Sequence, residues 1–296
     1  MEKLKLPGTE LEISRIGLGC MSLKGDLKYD QAIISASLAG GINFLDTADL
    51  YQNGLNEKIV GESILGKRQE VVLATKVGNE MNPDGEGWSW NPRKDYILKA
   101  VERSLKRLQT DYIDLYQLHG GTIEDPLEET FEAFEMLKTQ GKIRAIGISS
   151  IRPNVIRKVM QINPPATIMM QYSPLDRRPE ETAFPLLGKT ETRVLVRGTF
   201  AKGLLIDKPE AGFLDFGPEE VTAIRDRIKS FGFSPEAFLI GFGLAEPAVA
   251  SLVIGASSVD QVEKMSRGFE ESLTIPMEMI QTLKAEFPAN QYDQHR

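Results

Sequence analysis

The sequence predicts an α/β fold in which eight parallel strands and the helices between them close into a (β/α)8 TIM barrel with an N-terminal β-hairpin. Eight short apolar segments are spread evenly along the chain, and amphipathic helical patterns separate them. Several segments end in a polar residue, which is typical of barrel strands that open onto a C-terminal active-site face. No linker rich in Pro, Gly or Ser divides the chain, so we expect a single domain over residues 1–296.

The individual elements follow from local patterns. The first residues, KLKLPGTELEI, alternate on either side of Pro7-Gly8, which predicts the β-hairpin. Helices are predicted at Lys94–Leu108 and Leu127–Gln140, where apolar residues recur every three or four positions. The eight predicted barrel strands are Ile16–Gly19, Asn43–Asp46, Val71–Val77, Tyr112–His119, Ala145–Ser149, Thr167–Tyr172, Arg193–Val196 and Ser251–Ile254.

Composition and charge exclude several classes of protein. The formal net charge of −7 argues against a nucleic acid as the main partner, because phosphate-binding surfaces need an excess of Lys and Arg. The single cysteine, Cys20, cannot form an intramolecular disulfide and suits a reducing cytosol. No apolar run is long enough to span a membrane. We therefore expect a soluble, cytoplasmic protein without membrane contacts, and we expect a monomer because nothing indicates an obligate interface.

Polar residues near the ends of three apolar segments are the strongest functional signal. FLDTADLY ends its apolar run at Asp46 and has Tyr51 five residues later, VVLATKV contains Lys76, and YIDLYQLHG contains His119. A buried charge without a partner loses its hydration, so such residues are costly in a strand that has no use for them. In one parallel barrel the four side chains would converge at the C-terminal mouth.

Two alternatives compete with this interpretation. Gly17-Leu-Gly19-Cys-Met-Ser22 after the first strand, with Asp46 ending the second, could belong to a dinucleotide-binding open sheet. However, Ser22 replaces the third glycine of that motif, and the following KGDLKY is typical of a turn where the motif needs a helix N-terminus. A barrel isomerase or lyase that needs a metal is also disfavoured, since no cluster of His and carboxylates has ligand spacing.

Five motifs, FLDTADLY, ATKVG, DYIDLYQLHG, GKIRAIGISS and GASSVDQVEK, occur in the order found in aldo-keto reductases. The sequence resembles that family over nearly its whole length. The resemblance implies a (β/α)8 barrel that binds NADPH in extended form without a Rossmann motif and reduces aldehydes or ketones. It also implies that Asp46, Tyr51, Lys76 and His119 form the catalytic tetrad.

The chemistry of these residue types is compatible with those roles. Hydride addition to a carbonyl builds negative charge on oxygen, which requires a proton donor or fixed positive charge. Tyr51 can supply the proton, and we expect the ammonium of Lys76 to lower the pKa of its phenol from about 10. Asp46 would keep Lys76 charged and in place, while His119 would orient the carbonyl or assist proton transfer. Taken singly, each of the four could instead be structural, the acid and the lysine as an inert buried ion pair.

The resemblance also implies where nicotinamide binds. Ser149, Ser150 and Gln171, at the ends of strands five and six, would contact the carboxamide, with Ser150 at a position that is commonly Asn in the family. After strand seven the family usually has an aromatic residue that stacks on nicotinamide, whereas this chain has Arg197. An arginine plane can also stack on a ring, but it adds positive charge beside the oxidised form; alternatively, Arg197 pairs with an acid. The same predicted stretch contains Gly198, Thr199, Phe200, Lys202 and Gly203.

The adenosine end is expected over Gly255–Lys264, with the 2′-phosphate at the start of the last helix, where backbone donors and the helix dipole favour an anion. Gly255 lies there, Ser257, Ser258 and Gln261 can donate hydrogen bonds, and Lys264 would supply charge unless it is an ordinary solvated lysine. We favour NADPH over NADH. Cys20 and Met21, at the exit of the first strand, are expected to border the cofactor, although a buried, inert thiol is the alternative for Cys20.

The substrate is expected over the barrel mouth, near Met21, Tyr51, His119 and the loop 78–93, which contains Trp88 and Trp90. These tryptophans could equally pin the loop to the barrel. The tail after the final helix is short, and selective family members tend to close the pocket with a longer tail, so we expect broad carbonyl specificity. The competing hypothesis, based on Arg197 and Lys264, is a nicotinamide-binding regulatory or partner-binding protein with incidental reductase activity.

Overall fold

A closed barrel of eight parallel strands forms the centre of the molecule, described by a computed structural model over residues 1–82 and 86–296. Two antiparallel strands, β1 (Lys3–Lys5) and β2 (Glu12–Ser14), form the predicted N-terminal hairpin. The barrel strands are β3 (Ile16–Gly19), β4 (Phe44–Asp46), β5 (Val72–Val77), β8 (Ile113–Leu118), β9 (Ile143–Ser149), β10 (Thr167–Gln171), β11 (Arg193–Arg197) and β12 (Val249–Gly255), hydrogen-bonded in that order around the barrel. A second antiparallel pair, β6 (Asn79–Met81) and β7 (Trp88–Trp90), follows β5.

Helices separate the barrel strands and cover their outer side. They are α1 (Leu27–Ala39), α2 (Leu55–Ser63), α3 (Lys94–Leu108), α4 (Leu127–Thr139), α5 (Pro153–Ile162), α6 (Ala183–Leu187), α7 (Pro218–Ser230), α8 (Pro235–Leu244), α9 (Val259–Ser272) and α10 (Met277–Glu286). The predicted (β/α)8 barrel is therefore confirmed, with strand ends within two residues of those predicted. The open dinucleotide-binding sheet is wrong because β12 pairs with β3 and closes the barrel.

Two details of the sequence-based interpretation need correction. Within KGDLKY the turn ends at Asp26, whose side chain caps α1 by accepting a hydrogen bond from the backbone N–H of Tyr29, so the second half of that segment is helical. The predicted loop 78–93 contains the β6–β7 pair, although residues 83–85 of that loop lie outside the described residues. Each strand of the pair has only three residues, which is too short for alternation to be recognised.

Side chains along each barrel strand alternate between the barrel interior and the helical layer. Phe44, Leu115 and Met169 belong to the buried cluster inside the barrel, and the hairpin residues Leu6 and Leu11 pack into the same cluster. The hairpin therefore closes the N-terminal end of the barrel, and the opposite end is left for the polar residues that end the strands.

Glycine at two interior positions makes room for large neighbours. A Cβ atom on Gly17 would lie 2.5 Å from the ring of Phe44, and one on Gly147 would lie 2.7 Å from Oγ1 of Thr167 and 2.9 Å from Cγ of Gln117. Such separations are well inside van der Waals contact, so any side chain there would displace its neighbours.

A cavity of about 570 Å³ lies at the N-terminal end of the barrel, between the hairpin loop and the helices α4 and α5. Its lining includes Pro7, Lys138 and Met160, and no predicted catalytic or cofactor-binding residue is among the described residues that line it. Over the described part of the chain, none of the helices has the length and apolar character required to cross a bilayer.

Candidate active site

Lys76 connects two of the predicted catalytic residues. Its side chain is only 1% exposed, and Nζ donates to Oδ2 of Asp46 at 2.6 Å, to the carbonyl oxygen of Thr47 at 2.7 Å and to the hydroxyl oxygen of Tyr51 at 3.3 Å. An ammonium has three N–H groups, and all three are used here. Because the Tyr51 oxygen accepts from Lys76, its own O–H proton remains free to be donated to another group.

The backbone after β4 determines where Tyr51 lies. The amide of Thr47 bonds to the carbonyl of Ala74 at 2.9 Å, which continues the β4–β5 ladder beyond Asp46. Tyr51 then begins a short 3-10 helix in which Gln52 and Asn53 have φ of 51° and 55°. Non-glycine residues seldom adopt positive φ, so two in succession mark a locally strained turn. We attribute this turn to the need to bring the phenol back over the strand that carries Lys76.

Burial, rather than the ammonium, has the larger effect on the Tyr51 phenol. Burial raises its pKa, and the charge of Lys76 only partly offsets this, so the net pKa lies above its ordinary value of about 10. Lys76 does lower the pKa, as we expected from the sequence, but burial has the larger effect, so the net fall that we expected does not occur. In this structure the phenol is protonated throughout the neutral range, as a proton donor must be.

Asp46 balances the charge of Lys76. Burial by itself lowers the pKa of the Lys76 ammonium, but attraction to Asp46 and contact with Tyr51 outweigh it and raise the pKa. The other carboxylate oxygen of Asp46, Oδ1, accepts a hydrogen bond from Nε2 of Gln117 at 3.0 Å. Lys76 and Asp46 thus form a buried, oppositely charged pair with no net charge.

Gln117 is a residue of the candidate site that the sequence interpretation missed. It lies on β8 two positions before His119, and residues two apart on a strand face the same side of the sheet. That period of two was a usable signal, since His119 had already been assigned to the barrel mouth. Thr47, by contrast, accepts the hydrogen bond from Lys76 with its backbone carbonyl, which every residue type has, so the sequence could not indicate it.

His119 completes the tetrad beside Tyr51. Its amide bonds to the carbonyl of Val77 at 2.8 Å, and its ring meets the Tyr51 ring edge-on, with centroids 5.8 Å apart and an interplanar angle of 80°. Burial lowers the pKa of the imidazole to about 3, with further lowering by the positive charges of Lys76 and Arg197. A neutral imidazole can donate from one nitrogen, so His119 can orient a carbonyl oxygen without adding charge.

The predicted nicotinamide-binding residues lie together on neighbouring strands. Ser149 ends β9, and its register partner on β10 is Met169, two residues before Gln171. Gln171 pairs in turn with Arg197 on β11, whose Nη1 donates to Oε1 of Gln171 at 3.0 Å. Ser150 is 6% exposed, and its Oγ accepts from the backbone amide of Arg152 at 3.2 Å.

Arg197 does not pair with an acid. Among residues 1–82 and 86–296, no carboxylate lies within ion-pairing distance of its guanidinium, and Gln171 is its one side-chain hydrogen-bond partner. The nearby carboxylate of Asp176 is bound instead by Arg178, at 2.7 Å. The alternative that Arg197 forms a structural ion pair is therefore wrong for the described residues.

The stretch after β11 turns sharply at the barrel mouth. Gly198 has φ of 74°, Lys202 has φ of 58° and Gly203 has φ of 90°, and Phe200 packs against the hydrophobic core. Oγ1 of Thr199 is buried with no hydrogen-bond partner in the described part of the chain. A buried hydroxyl without a partner is costly, so this one is available to a ligand.

At the start of α9 the predicted phosphate-binding residues bind one another. Oε1 of Gln261 accepts from the amide of Ser257 at 2.7 Å, and Ser258 caps the helix by accepting from the amide of Gln261 at 3.2 Å. Lys264 forms an exposed ion pair with Asp260 at 3.0 Å, as an ordinary solvated lysine does. Gly255 lies next to the first strand, where an added Cβ would be 2.2 Å from Oγ of Ser22.

The residues predicted to contact the substrate or to border the cofactor differ in exposure and in hydrogen bonding. Met21 and Trp88 are exposed, at 67% and 51%. Trp90 donates from Nε1 to Oδ1 of Asp125 at 3.0 Å, so it pins its loop to the barrel. Cys20 is fully buried, and burial raises the pKa of its thiol, which agrees with the inert alternative and leaves only its backbone to border a cofactor.

A second buried polar network lies beside the Tyr51 turn. Asp49, whose amide bonds to the carbonyl of Lys76, has a buried Oδ1 with no partner among the described residues. Burial raises its pKa to about 7, and the charge of Glu57 adds to the rise. Glu57 itself accepts from Oγ1 of Thr75 at 2.6 Å and from Nε of Arg107 at 2.7 Å. The polar residues of FLDTADLY therefore belong to two buried networks, one around Lys76 and one that contains Asp49.

Residues 15–285 match the sequence model of the aldo/keto reductase family. The chain belongs to this family. It is 46% identical over 308 aligned residues to the uncharacterized oxidoreductase YqkF of Bacillus subtilis (strain 168), with 100% of both chains covered.

Solved structures agree with the family assignment. The aldo-keto reductase AKR11C1 from Bacillus halodurans, in its holo form, is 47% identical with a TM-score of 0.95, covering 100% of this chain and 99% of that one. An aldo/keto reductase from Klebsiella pneumoniae, solved in complex with NADP and acetate, is 25% identical with a TM-score of 0.78, covering 97% and 95%. This chain is therefore an aldo-keto reductase family oxidoreductase, which the hypothesis of a metal-dependent isomerase or lyase does not fit.

Proposed function

We propose that this aldo-keto reductase transfers hydride from NADPH to aldehydes and ketones of broad structure, with Tyr51 as the proton donor. The observation that carries the proposal is the arrangement of Lys76, which donates to Tyr51 and to Asp46 at the same time. That arrangement leaves the phenolic proton free and directs a buried positive charge at the oxygen that would lose it. We propose the four tetrad residues as the catalytic site.

The polar side chains at the barrel mouth suit a nicotinamide cofactor, and the buried hydroxyl of Thr199 has no partner among the described residues. Ser149, Ser150, Gln171 and Thr199 would hold its carboxamide and neighbouring atoms, because hydroxyls and amides can donate and accept at once. When bound, NADPH would supply the hydride. We propose NADPH rather than NADH, with Gly255, Ser257, Gln261 and Lys264 at the adenosine end; opening of the Ser257–Gln261 contact would free two donors there.

The chain's own residues account for the proton. A carbonyl oxygen that gains negative charge becomes a strong acceptor, and the Tyr51 hydroxyl can donate to it. As the proton leaves, the Tyr51 oxygen becomes negative while it still accepts from Lys76 Nζ at 3.3 Å. The ammonium stabilises that charge where water is largely excluded, and Asp46 prevents Lys76 from moving away. His119, being neutral, would orient the carbonyl without competing as an acid.

We base a proposal for substrate selection on the side chains that are exposed at the barrel mouth. Met21 and Trp88 are exposed near the rim, and we propose that they contact substrates only loosely. We propose that Trp90 instead holds its loop in place through the hydrogen bond to Asp125. Such a rim would accept carbonyl compounds of different shapes. We also propose that the protein acts as a cytoplasmic monomer of one domain, which size-exclusion chromatography with light scattering tests for the oligomeric state.

Steady-state kinetics of Tyr51→Phe test the proposal. Purified protein is given NADPH or NADH with an activated aromatic aldehyde, and cofactor oxidation is followed by absorbance. Wild type should oxidise NADPH faster than NADH, and Tyr51→Phe should lose at least about a hundredfold in turnover while it still binds NADPH. Tyr112→Phe, at the N-terminal end of β8, is the matched control and should retain full turnover. Equal activity in Tyr51→Phe and Tyr112→Phe would refute the proposal.

A further inference from the structure

Arg197 is a positive charge at the barrel mouth, and no carboxylate of residues 1–82 or 86–296 forms an ion pair with it. Lys76 is balanced by Asp46, and the low pKa of His119 keeps its imidazole neutral. Tyr51 is protonated, and Arg178 takes the carboxylate of Asp176. The tetrad and the Asp176–Arg178 pair therefore carry no net charge, and they leave the charge of the Arg197 guanidinium unbalanced.

The position of that charge relative to nicotinamide follows from Gln171. Nη1 of Arg197 is 3.0 Å from Oε1 of Gln171, and the two residues are register partners at the ends of β11 and β10. If Gln171 holds the carboxamide, as proposed above, the nicotinamide ring attached to that carboxamide lies within one side-chain length of the guanidinium. The ring is neutral when reduced and carries a positive charge when oxidised.

We infer that Arg197 makes this enzyme bind NADPH more tightly than NADP⁺, so that oxidised cofactor is rejected and released after each reduction. This inference rests on the proposed function. Two unit charges of the same sign a few ångströms apart at a protein surface repel by an amount equivalent to tenfold or more in affinity. Because the Arg197 side chain is exposed in the free protein, solvent screening reduces the effect, and we expect about tenfold.

The same difference changes the redox properties of the bound cofactor. Binding the reduced form about tenfold more tightly than the oxidised form raises the potential of the bound two-electron couple by about 30 mV. Bound NADPH is then a slightly weaker hydride donor. In exchange, NADP⁺ competes poorly with NADPH for the free enzyme, which favours the direction of carbonyl reduction when both nucleotides are present.

The test is a comparison of dissociation constants for NADPH and NADP⁺, each measured by titration of the protein's fluorescence. Arg197→Met removes the charge at similar length, Arg197→Lys retains it, and Arg193→Met, at the other end of β11, is the matched control. Wild type, Arg197→Lys and Arg193→Met should bind NADP⁺ about tenfold more weakly than NADPH. Arg197→Met should bring the ratio close to one, mainly by tighter binding of NADP⁺.

Salt provides a second readout that a purely structural role would not affect. The wild-type ratio should fall toward one as ionic strength rises, whereas the Arg197→Met ratio should stay constant. The inference is overturned if Arg197→Met weakens or strengthens both nucleotides equally, or if its ratio matches wild type. If wild type bound neither nucleotide, the proposed function itself would be refuted and this inference with it.

Discussion

Removal of the Lys76 ammonium should destabilise the protein because Asp46 would remain buried without its counter-ion. In Lys76→Met, the hydrogen bond from Gln117 at 3.0 Å is the one side-chain bond that the described residues leave to the Asp46 carboxylate, and the Asp46 side chain is 5% exposed. Breaking a buried pair by removing one partner costs about 3–5 kcal/mol in free energy of unfolding. The cost should be smaller at acidic pH, where the Asp46 carboxyl becomes protonated and loses its charge.

The double variant Asp46→Asn/Lys76→Met separates this electrostatic cost from loss of packing. With both charges removed, most of the stability should return, since buried ion pairs can be replaced by neutral groups at little cost. The carbonyl of Thr47 still lacks the donor that Lys76 provided, which leaves a deficit of about 1 kcal/mol. Activity should not return, because the ammonium beside Tyr51 is absent in both variants.

Urea denaturation measures these differences in free energy of unfolding through the midpoint of the transition, provided that the dependence of that free energy on urea concentration is unchanged. The matched control is Lys67→Met, an exposed lysine outside the site, which should change stability by less than about 0.5 kcal/mol. If Lys76→Met were as stable as Lys67→Met, or the double variant as unstable as Lys76→Met alone, an unpaired Asp46 charge would not be the cause of the lost stability.

Three further predictions follow from individual residues. The His119 pKa of about 3 means that the unfolded chain binds a proton between about pH 6.5 and 3 that the folded chain does not. The free energy of unfolding should therefore decrease as the pH is lowered from about 6.5 to 3, by up to about 1.4 kcal/mol per pH unit. The urea midpoint of His119→Asn should decrease less over the same pH range. The Asp49 pKa of about 7 has the opposite sign, so stability is lost as pH rises from about 4 to 7. Asp49→Asn should be more stable than wild type at about pH 8, by up to about 4 kcal/mol, and similar to it at about pH 4; an equal difference at both would contradict the assignment. Gly147→Ala should cost about 1–3 kcal/mol in thermal or urea unfolding and lower turnover, because its Cβ would push against Gln117 at 2.9 Å; unchanged midpoints would contradict this.

The barrel and the tetrad could be predicted from sequence because each leaves a local signal. An apolar run that ends in Asp46, or that contains Lys76, indicates a buried strand with a charge at one face. Parallel strands in one barrel then bring those ends together without further information. The cofactor contacts of Ser149, Gln171 and Arg197 were implied by the resemblance to the family, and they stay predictions.

Features that depend on three-dimensional burial could not be predicted. The net direction of the Tyr51 pKa is the difference between desolvation and the attraction of Lys76, and sequence spacing reports neither. The contact between Ser257 and Gln261 occupies donors that sequence pattern had assigned to a phosphate. The β6–β7 pair was missed because three-residue strands show no usable period, and Trp90 acts in that pair as an anchor for its loop.

We propose that Tyr51, held by Lys76, donates the proton during carbonyl reduction. Single-turnover kinetics test it most directly: enzyme preloaded with stoichiometric NADPH is mixed with an aromatic aldehyde, and loss of NADPH absorbance is timed. We expect Tyr51→Phe to bind NADPH as wild type does but to oxidise it at least about a hundredfold more slowly. A single-turnover rate in Tyr51→Phe within about twofold of wild type would contradict a role of Tyr51 as the donor, because the proton would then come from another group.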